Sequence, residues 1–167
     1  MILEFSNIRL RQIELGDIEM IRQWRNDQKI VRFMFFNQHI TEEMQLEWFS
    51  SLQAYDFYFI IEYQNKDLGL INLSSEKLED RSAFAGLFIY DDSYWGTQIP
   101  VLASMCLLQF AFEKRKLQTV YARVQRTNNA AKKYNKNLGF EDCNEELQSI
   151  KIENYTKVLK PFTNRFA

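Results

Sequence analysis

The strongest constraint on the fold is the order in which strand-type and helix-type apolar patterns follow one another. Short segments that alternate, or that are dense in aromatic and β-branched residues, predict strands at 8–13, 57–63, 68–73, 84–90, 119–124, 148–152 and 155–160. Apolar residues at helical spacing predict helices at 16–26, 41–49, 97–114 and 128–137. The order β-α-α-β-β-β-α-β-α-β-β predicts one α/β (α+β) domain over 1–167 with a mixed sheet.

The composition narrows the classes of function. Twenty-one basic residues face 22 acidic ones, and this balance argues against a general nucleic-acid binder. One histidine and two cysteines, Cys106 and Cys143, are too few for a structural zinc site or a disulfide framework, and both cysteines are predicted to be apolar filler. Sparse cysteines without a signal peptide, and no apolar run near 18 residues, predict a cytoplasmic protein without a metal or a membrane span.

The segment 88–100 carries the first sign of chemistry. A strand ends there, a turn with Gly96 follows, and a long apolar helix begins. The first amides of such a helix have no partner inside it, and the helix dipole favours an anion beside them. Thr97 is the expected N-cap, and Pro100 stands in the first turn, where its missing N–H does least harm. An ordinary strand–loop–helix connection has the same pattern, so the spacing alone leaves both interpretations open.

A second segment, 128–140, supplies a family resemblance. It has an Asn, a short helix and then Leu138-Gly139-Phe140, and it resembles the signature of the Gcn5-related N-acetyltransferases (GNAT). Residues 94–100 lie where that family has its pyrophosphate loop, and 69–73 resemble its third strand. The resemblance implies a mostly antiparallel twisted sheet of about seven strands with about four helices, splayed between the fourth and fifth strands.

The resemblance also implies a co-substrate and the residues that hold it. The pyrophosphate of acetyl-CoA would lie at 96–101, and its pantetheine arm would add beside the fourth strand, where a backbone N–H would hold the oxyanion. Asn128 would hold the pantetheine from the fifth strand. The implied cofactor-binding residues are Phe88, Ile89, Tyr90, Trp95, Gly96, Thr97, Gln98, Ile99, Val101 and Asn128.

The first third of the chain resembles one branch of the family. Leu10-Arg11, Asp17, 24–26 and 40–43 are similar to the amino-sugar N-acetyltransferases of pseudaminic acid synthesis, near the ribosomal-protein alanine and spermidine acetyltransferases. This implies direct attack on acetyl-CoA by the primary amine of a UDP-linked 4-amino-4,6-dideoxy sugar, in a monomer or homodimer. The implied acceptor-binding residues are Trp24, Arg25, Asn26 and Arg32.

Three positions depart from the family pattern. Gln98 and Pro100 stand where the pyrophosphate loop has small residues, and Pro100 removes one amide. The tyrosine expected four residues before Gly139 is replaced by Asn135, with Tyr134 one residue earlier, and one step along a helix turns a side chain by about 100°. Tyr134 and Asn135 are the candidate catalytic residues, with Tyr90 or water as alternatives for the acid.

The sequence leaves other functions open. The general base is unassigned among Glu79, Asp91, Asp92 and His39. A ribosomal-protein or peptide N-terminal acetyltransferase and a polyamine acetyltransferase are alternatives, although a polyamine site should be more acidic than this sequence suggests. The three departures favour an alternative of another class, a non-catalytic acyl-CoA-binding domain.

Overall fold

One sheet of eight strands organises residues 1–163, which are the residues that the computed structural model describes. The strands are β1 (Ile2–Phe5), β2 (Ile8–Gln12), β3 (Phe57–Tyr63), β4 (Lys66–Lys77), β5 (Ser82–Ile89), β6 (Thr119–Arg123), β7 (Glu141–Asn144) and β8 (Leu147–Lys151). Their order in the sheet is β1-β2-β3-β4-β5-β6-β8-β7.

The helices connect these strands or follow them. They are α1 (Ile18–Asn26), α2 (Gln28–Val31), α3 (Glu42–Ser51), α4 (Ile99–Gln109), α5 (Asn129–Asn137), α6 (Ile152–Asn154) and α7 (Lys160–Thr163). A π-helical turn, Phe110–Lys114, extends α4, and another, Tyr155–Leu159, joins α6 to α7. Within residues 1–163 we find no helix with the length and apolar character to cross a membrane.

The sheet opens between β5 and β6. All neighbouring strands run antiparallel except these two, which are parallel. Their register ends at Ala85↔Ala122, although β5 continues to Ile89. The second half of β5 therefore has no strand partner on this side. The strands β5 and β6 are the fourth and fifth of the predicted strands, 84–90 and 119–124, so the predicted splay between them is confirmed.

The two faces of the sheet are covered by different helices. The larger core cluster joins the sheet to α4, whose residues are almost all buried because the helix is apolar on every side. The smaller cluster, on the face covered by α1 and α3, contains Ile13, Ile21, Trp24, Ile60 and Leu70. An ion pair also holds the start of α1 against β2: the Arg11 guanidinium donates to both carboxylate oxygens of Asp17, the residue before α1, at 2.8 and 3.0 Å. The mixed α/β architecture expected from the element order is confirmed.

Several local predictions are corrected. Residues 155–160, predicted as a strand, are helical, because Tyr155 and Leu159 are buried together at helical spacing. The last two strands are β7 and β8 instead, and β1 was not predicted. The long helix begins at Ile99, so that Gln98 rather than Thr97 directly precedes it, but the capping hydrogen bond comes from the Thr97 hydroxyl, which accepts the Ile99 N–H. The regular part of the helix ends at Gln109.

Candidate active site

A cleft of about 650 Å³ lies where β5 and β6 diverge. It reaches from the first turns of α4 and from α5, on one face of the sheet, to α1, α3 and the loop after α2 on the other face. Of the described residues, those that line it include two arginines, Arg25 and Arg123, but no aspartate, glutamate or histidine. The cleft is thus a passage through the sheet with cationic and apolar walls.

The backbone of β5 supplies polar groups to this gap. Tyr90 donates its N–H to the Leu68 carbonyl at 2.7 Å, so Tyr90 faces β4. Because hydrogen-bonding direction alternates along an antiparallel strand, Phe88 also faces β4, whereas Leu87 and Ile89 direct their backbone groups into the gap. The Ile89 carbonyl accepts a hydrogen bond from the Trp95 indole at 2.8 Å. Sequence reasoning missed Leu87, which strand alternation alone would have suggested.

The side chains of Phe88 and Tyr90 lie on the face of the sheet covered by α1 and α3, opposite the start of α4, where acetyl-CoA is predicted to bind. Trp24 stacks on the Tyr90 ring at 5.4 Å and meets the Phe88 ring edge-on at 6.3 Å. Tyr90 also donates a hydrogen bond from its hydroxyl to Asp27 at 3.3 Å. The backbones of Phe88 and Tyr90 already pair with β4, and their predicted contacts with pantetheine stay predictions.

The start of α4 presents free amides. Gly96 has φ +74°, and the Thr97 hydroxyl accepts the Ile99 N–H at 3.2 Å. The N–H groups of Gly96, Gln98 and Val101 have no partner among the described residues. The loss of one amide at Pro100 therefore leaves three others unpaired at this helix start, while the Ile99 amide is occupied and its side chain is buried.

Tyr134 links α5 to α4. Its hydroxyl donates to the Pro100 carbonyl at 2.7 Å and lies 2.8 Å from the Ser104 hydroxyl. Because the single phenolic proton is used on Pro100, Ser104 is the donor in the second bond. Burial raises the pKa of Tyr134 far above its usual value, with Ser104 opposing the shift. Tyr134 is thus a neutral hydrogen-bond donor in the wall of the cleft.

Asn135 and Asn128 both line the cleft but have partners within the protein. Asn135 Nδ2 donates to Oε1 of the buried Gln148 at 2.9 Å. Asn128 Oδ1 accepts the Ala131 N–H at 3.1 Å and so caps α5. The Asn135 side chain thus ties α5 to β8, and the Asn128 side chain caps α5. The catalytic role predicted for Asn135 and the pantetheine contact predicted for Asn128 stay predictions.

On the face of the sheet covered by α1 and α3, where the acceptor is predicted to bind, three residues form a row across the strands. Tyr58, Asn72 and Gly86 pair in register on β3, β4 and β5, and Trp48 packs edge-on against Tyr58 at 4.9 Å. Asn72 Nδ2 donates to Ser74 Oγ at 3.0 Å. Sequence reasoning missed Asn72, although it is the one polar residue in the predicted strand 68–73.

Arg25 lies above this row, in the last turn of α1. Burial lowers the pKa of its guanidinium, which nevertheless remains charged at neutral pH. It has no hydrogen bond or ion pair with any residue in 1–163. A desolvated cation without a counter-charge favours an anionic ligand.

The other predicted acceptor residues have different surroundings. Trp24 is only 7% exposed and belongs to the core, and the Asn26 carboxamide binds both backbone groups of Ile40, at 2.8 and 2.9 Å. The Arg32 guanidinium lies 4.6 Å from the Phe33 ring centroid and 6.0 Å from that of Trp95. None of these three is among the described residues that line the cleft, and their contact with the acceptor stays a prediction.

Proteins whose solved structures have the same fold differ in the acceptors that their names give. The spermidine N-acetyltransferase from Vibrio cholerae, in complex with CoA and spermine, superposes with a TM-score of 0.81 at 19% identity, over 90% of this chain and 98% of that one. Apo FdhC, a nucleotide-linked sugar GNAT, gives 0.82 at 17% identity, over 99% and 98%. RimL, a ribosomal L7/L12 α-N-protein acetyltransferase in complex with CoA, gives 0.77 at 16% identity, over 92% and 99%.

The sequence itself identifies the family. No curated protein matches the chain. The family model described as an acetyltransferase (GNAT) domain matches residues 7–141, a span that contains the diverging strands, the start of α4 and the whole of α5. The chain therefore belongs to the acetyltransferase (GNAT) domain family.

Proposed function

We propose that this protein transfers the acetyl group of acetyl-CoA to the primary amine of a UDP-linked 4-amino-4,6-dideoxy sugar. The observation that carries the proposal is the unpaired, half-buried Arg25 guanidinium in a cleft whose described lining has no carboxylate. A nucleotide diphosphate supplies the negative charge that such a guanidinium binds, and a uracil ring can stack on the aromatic residues of the same wall.

The opposite end of the cleft suits acetyl-CoA. The unpaired amides of Gly96, Gln98 and Val101 at the start of α4 match a pyrophosphate. The pantetheine arm would pair with the free edge of β5 through Leu87 and Ile89. The Leu87 N–H, beside the end of the β5–β6 register, would then donate to the thioester carbonyl oxygen. CoA complexes of the similar spermidine and ribosomal-protein acetyltransferases support this use of the fold.

The reaction needs no covalent enzyme intermediate. The amine nitrogen attacks the thioester carbon, the C–N bond forms, and the carbonyl electron pair moves to the oxygen held by the backbone N–H. The C–S bond then breaks, CoA leaves as a thiolate, and the nitrogen releases a proton to water. Tyr134 is proposed to turn its hydroxyl from the Pro100 carbonyl to the thiolate, to give up its proton there, and to be reprotonated from solvent. Burial raises the pKa of Cys106 to about 12, so it is no nucleophile.

A polycationic acceptor fits this cleft poorly. Spermidine carries several positive charges, and each would meet Arg25 or Arg123 without a carboxylate among the described lining residues. A peptide with a single amino-terminal charge is disfavoured less strongly. The charge of the cleft thus ranks the sugar nucleotide first among the three acceptor classes.

The acceptor is tested by mass spectrometry of three incubations with acetyl-CoA. They contain the UDP-linked 4-amino sugar, spermidine and a peptide that begins with alanine. We expect a gain of one acetyl group on the sugar nucleotide alone. Acetylation of spermidine or the peptide with the sugar nucleotide untouched would contradict the proposed acceptor.

A second candidate is acyl-CoA binding without catalysis. The departures at Gln98, Pro100 and Asn135 favour it, and Asn135 is held by Gln148 rather than free in the cleft. Thiol release from acetyl-CoA separates the two candidates. Stabilisation by acetyl-CoA without thiol release in the presence of any of the three amines would support the binding domain.

A further inference from the structure

We infer that Asn72 positions the acceptor: its side-chain carbonyl oxygen accepts a hydrogen bond from the amine that attacks the thioester. The inference rests on the proposed function, in that it requires an amine to enter the cleft from the α1–α3 face. It adds a residue that neither the family signature nor the branch resemblance indicates.

Asn72 lies in the middle of β4, directly opposite Gly86 of β5, on the face that carries Tyr58 and Phe88. Gly86 is the residue before Leu87, whose N–H faces the gap. The Asn72 side chain therefore lies at the passage between the acceptor face and the gap where the thioester would be held.

Gly86 leaves the space that the Asn72 side-chain oxygen occupies. A Cβ atom at position 86 would lie 2.6 Å from Asn72 Oδ1 and 3.8 Å from its Nδ2. It is therefore the oxygen, not the nitrogen, that extends over the β5 backbone. A side chain at position 86 would displace this oxygen, so the glycine keeps it beside the gap.

The Asn72 carboxamide is held in one orientation, but only its nitrogen has a hydrogen-bond partner among the described residues. Nδ2 donates to Ser74 Oγ at 3.0 Å, which directs Oδ1 away from Ser74. Oδ1 accepts no hydrogen bond from any of residues 1–163. Leu70, Phe88 and Trp48 form the apolar part of the neighbouring wall, and its polar side chains are Tyr58 and Arg25. The guanidinium of Arg25 can only donate, so an oriented Asn72 oxygen is suited to fix the direction of an N–H donor from the substrate.

The chemistry of the attack explains why a single hydrogen-bond acceptor for the amine would matter. Holding one N–H fixes rotation about the amine's C–N bond and aims the lone pair at the thioester carbon. The nitrogen becomes positive as the new C–N bond forms, so the hydrogen bond is stronger in the transition state than with the neutral amine. Asn72 does not take the proton, which leaves to water.

Two substitutions at this position separate positioning from packing. Asn72→Leu keeps the size but removes the acceptor, whereas Asn72→Asp keeps an accepting oxygen. We expect Asn72→Leu to lower kcat/KM for the amine about tenfold while the KM for acetyl-CoA is unchanged. Asn72→Asp should retain most of the activity. Asn137→Leu, the same change at an exposed position of α5, is the control and should behave as wild type.

The kinetics are measured by thiol release with each amine of the panel that the wild type acetylates. Unchanged kcat/KM in Asn72→Leu would overturn the inference, as would equal losses in Asn72→Leu and Asn72→Asp together with lower melting temperatures. Either result leaves the proposed function standing. A wild type that releases no thiol with any amine contradicts the proposed function, and the inference with it.

Discussion

At the scale of the residue, the unpaired charge of Arg25 gives the sharpest test of the acceptor site. Arg25→Ala should raise the KM for the sugar nucleotide by tenfold or more, because a shielded charge-assisted hydrogen bond contributes about 1.5–3 kcal/mol. The KM for acetyl-CoA should hardly change, since Arg25 lies on the other face of the sheet. Steady-state kinetics with each substrate varied in turn measure both.

The control for Arg25 is Arg9→Ala. The Arg9 guanidinium pairs with Glu62 at 3.0 Å in a partly exposed ion pair outside the cleft lining, so both KM values should stay at their wild-type levels. If Arg25→Ala acetylates the sugar nucleotide with an unaltered KM, the guanidinium does not bind the diphosphate.

A single substitution can likewise test whether Tyr134 is the general acid. Tyr134→Phe should lower kcat more than it raises the KM for acetyl-CoA, because a lost proton donor costs transition-state stabilisation. It should also lower the free energy of unfolding by about 1–2 kcal/mol, since the hydroxyl makes two hydrogen bonds. Ser104→Ala breaks only one of these bonds and keeps the phenol, so it should reduce stability without a comparable loss of turnover. Wild-type turnover in Tyr134→Phe would leave Tyr134 as a link between α4 and α5.

At the scale of the element, the closeness of β4 and β5 depends on Gly69. A Cβ atom there would lie 2.2 Å from the Phe88 carbonyl oxygen and 2.8 Å from Ile89 Cα, both backbone atoms that cannot move without shifting a strand. Gly69→Ala should therefore lower the free energy of unfolding by at least about 2 kcal/mol. Gly16→Ala is the control, since its Cβ would meet nothing within 4 Å. Equal urea midpoints for the two variants would refute the close approach of the strands.

At the scale of the whole molecule, ligand linkage tests the donor site. Acetyl-CoA that binds only the folded state should stabilise it by about 2.7 kcal/mol at a hundredfold excess over Kd, and the melting temperature should rise accordingly. Pantetheine lacks the diphosphate that the amides at the start of α4 are expected to bind, so it should shift the melting temperature less. No shift with millimolar acetyl-CoA would exclude its use by this protein.

The sequence by itself determined the kinds of element and much of their order. Segments 57–63 and 68–73 are dense in apolar, aromatic and β-branched residues, which fit a pleated, half-buried surface and so encode strands. Positive φ at Gln64 and Asn65 closes the predicted hairpin between them. The continuous apolar character of 99–108 likewise determined that α4 would be buried. The family signature then located the start of α4 and the segment of α5, since both depend on residues close together in the chain.

Only the tertiary structure decided which side chains meet in the cleft. Trp24 and Arg25 are adjacent in sequence, yet one is packed under Tyr90 and the other lines the cleft, because successive residues of a helix differ in direction by about 100°. Asn72 lies between Tyr58 and Gly86 only because β3, β4 and β5 pair in this register. Periodicity within one segment reports which face is apolar, whereas the partner of that face is set by contacts between segments far apart in the chain.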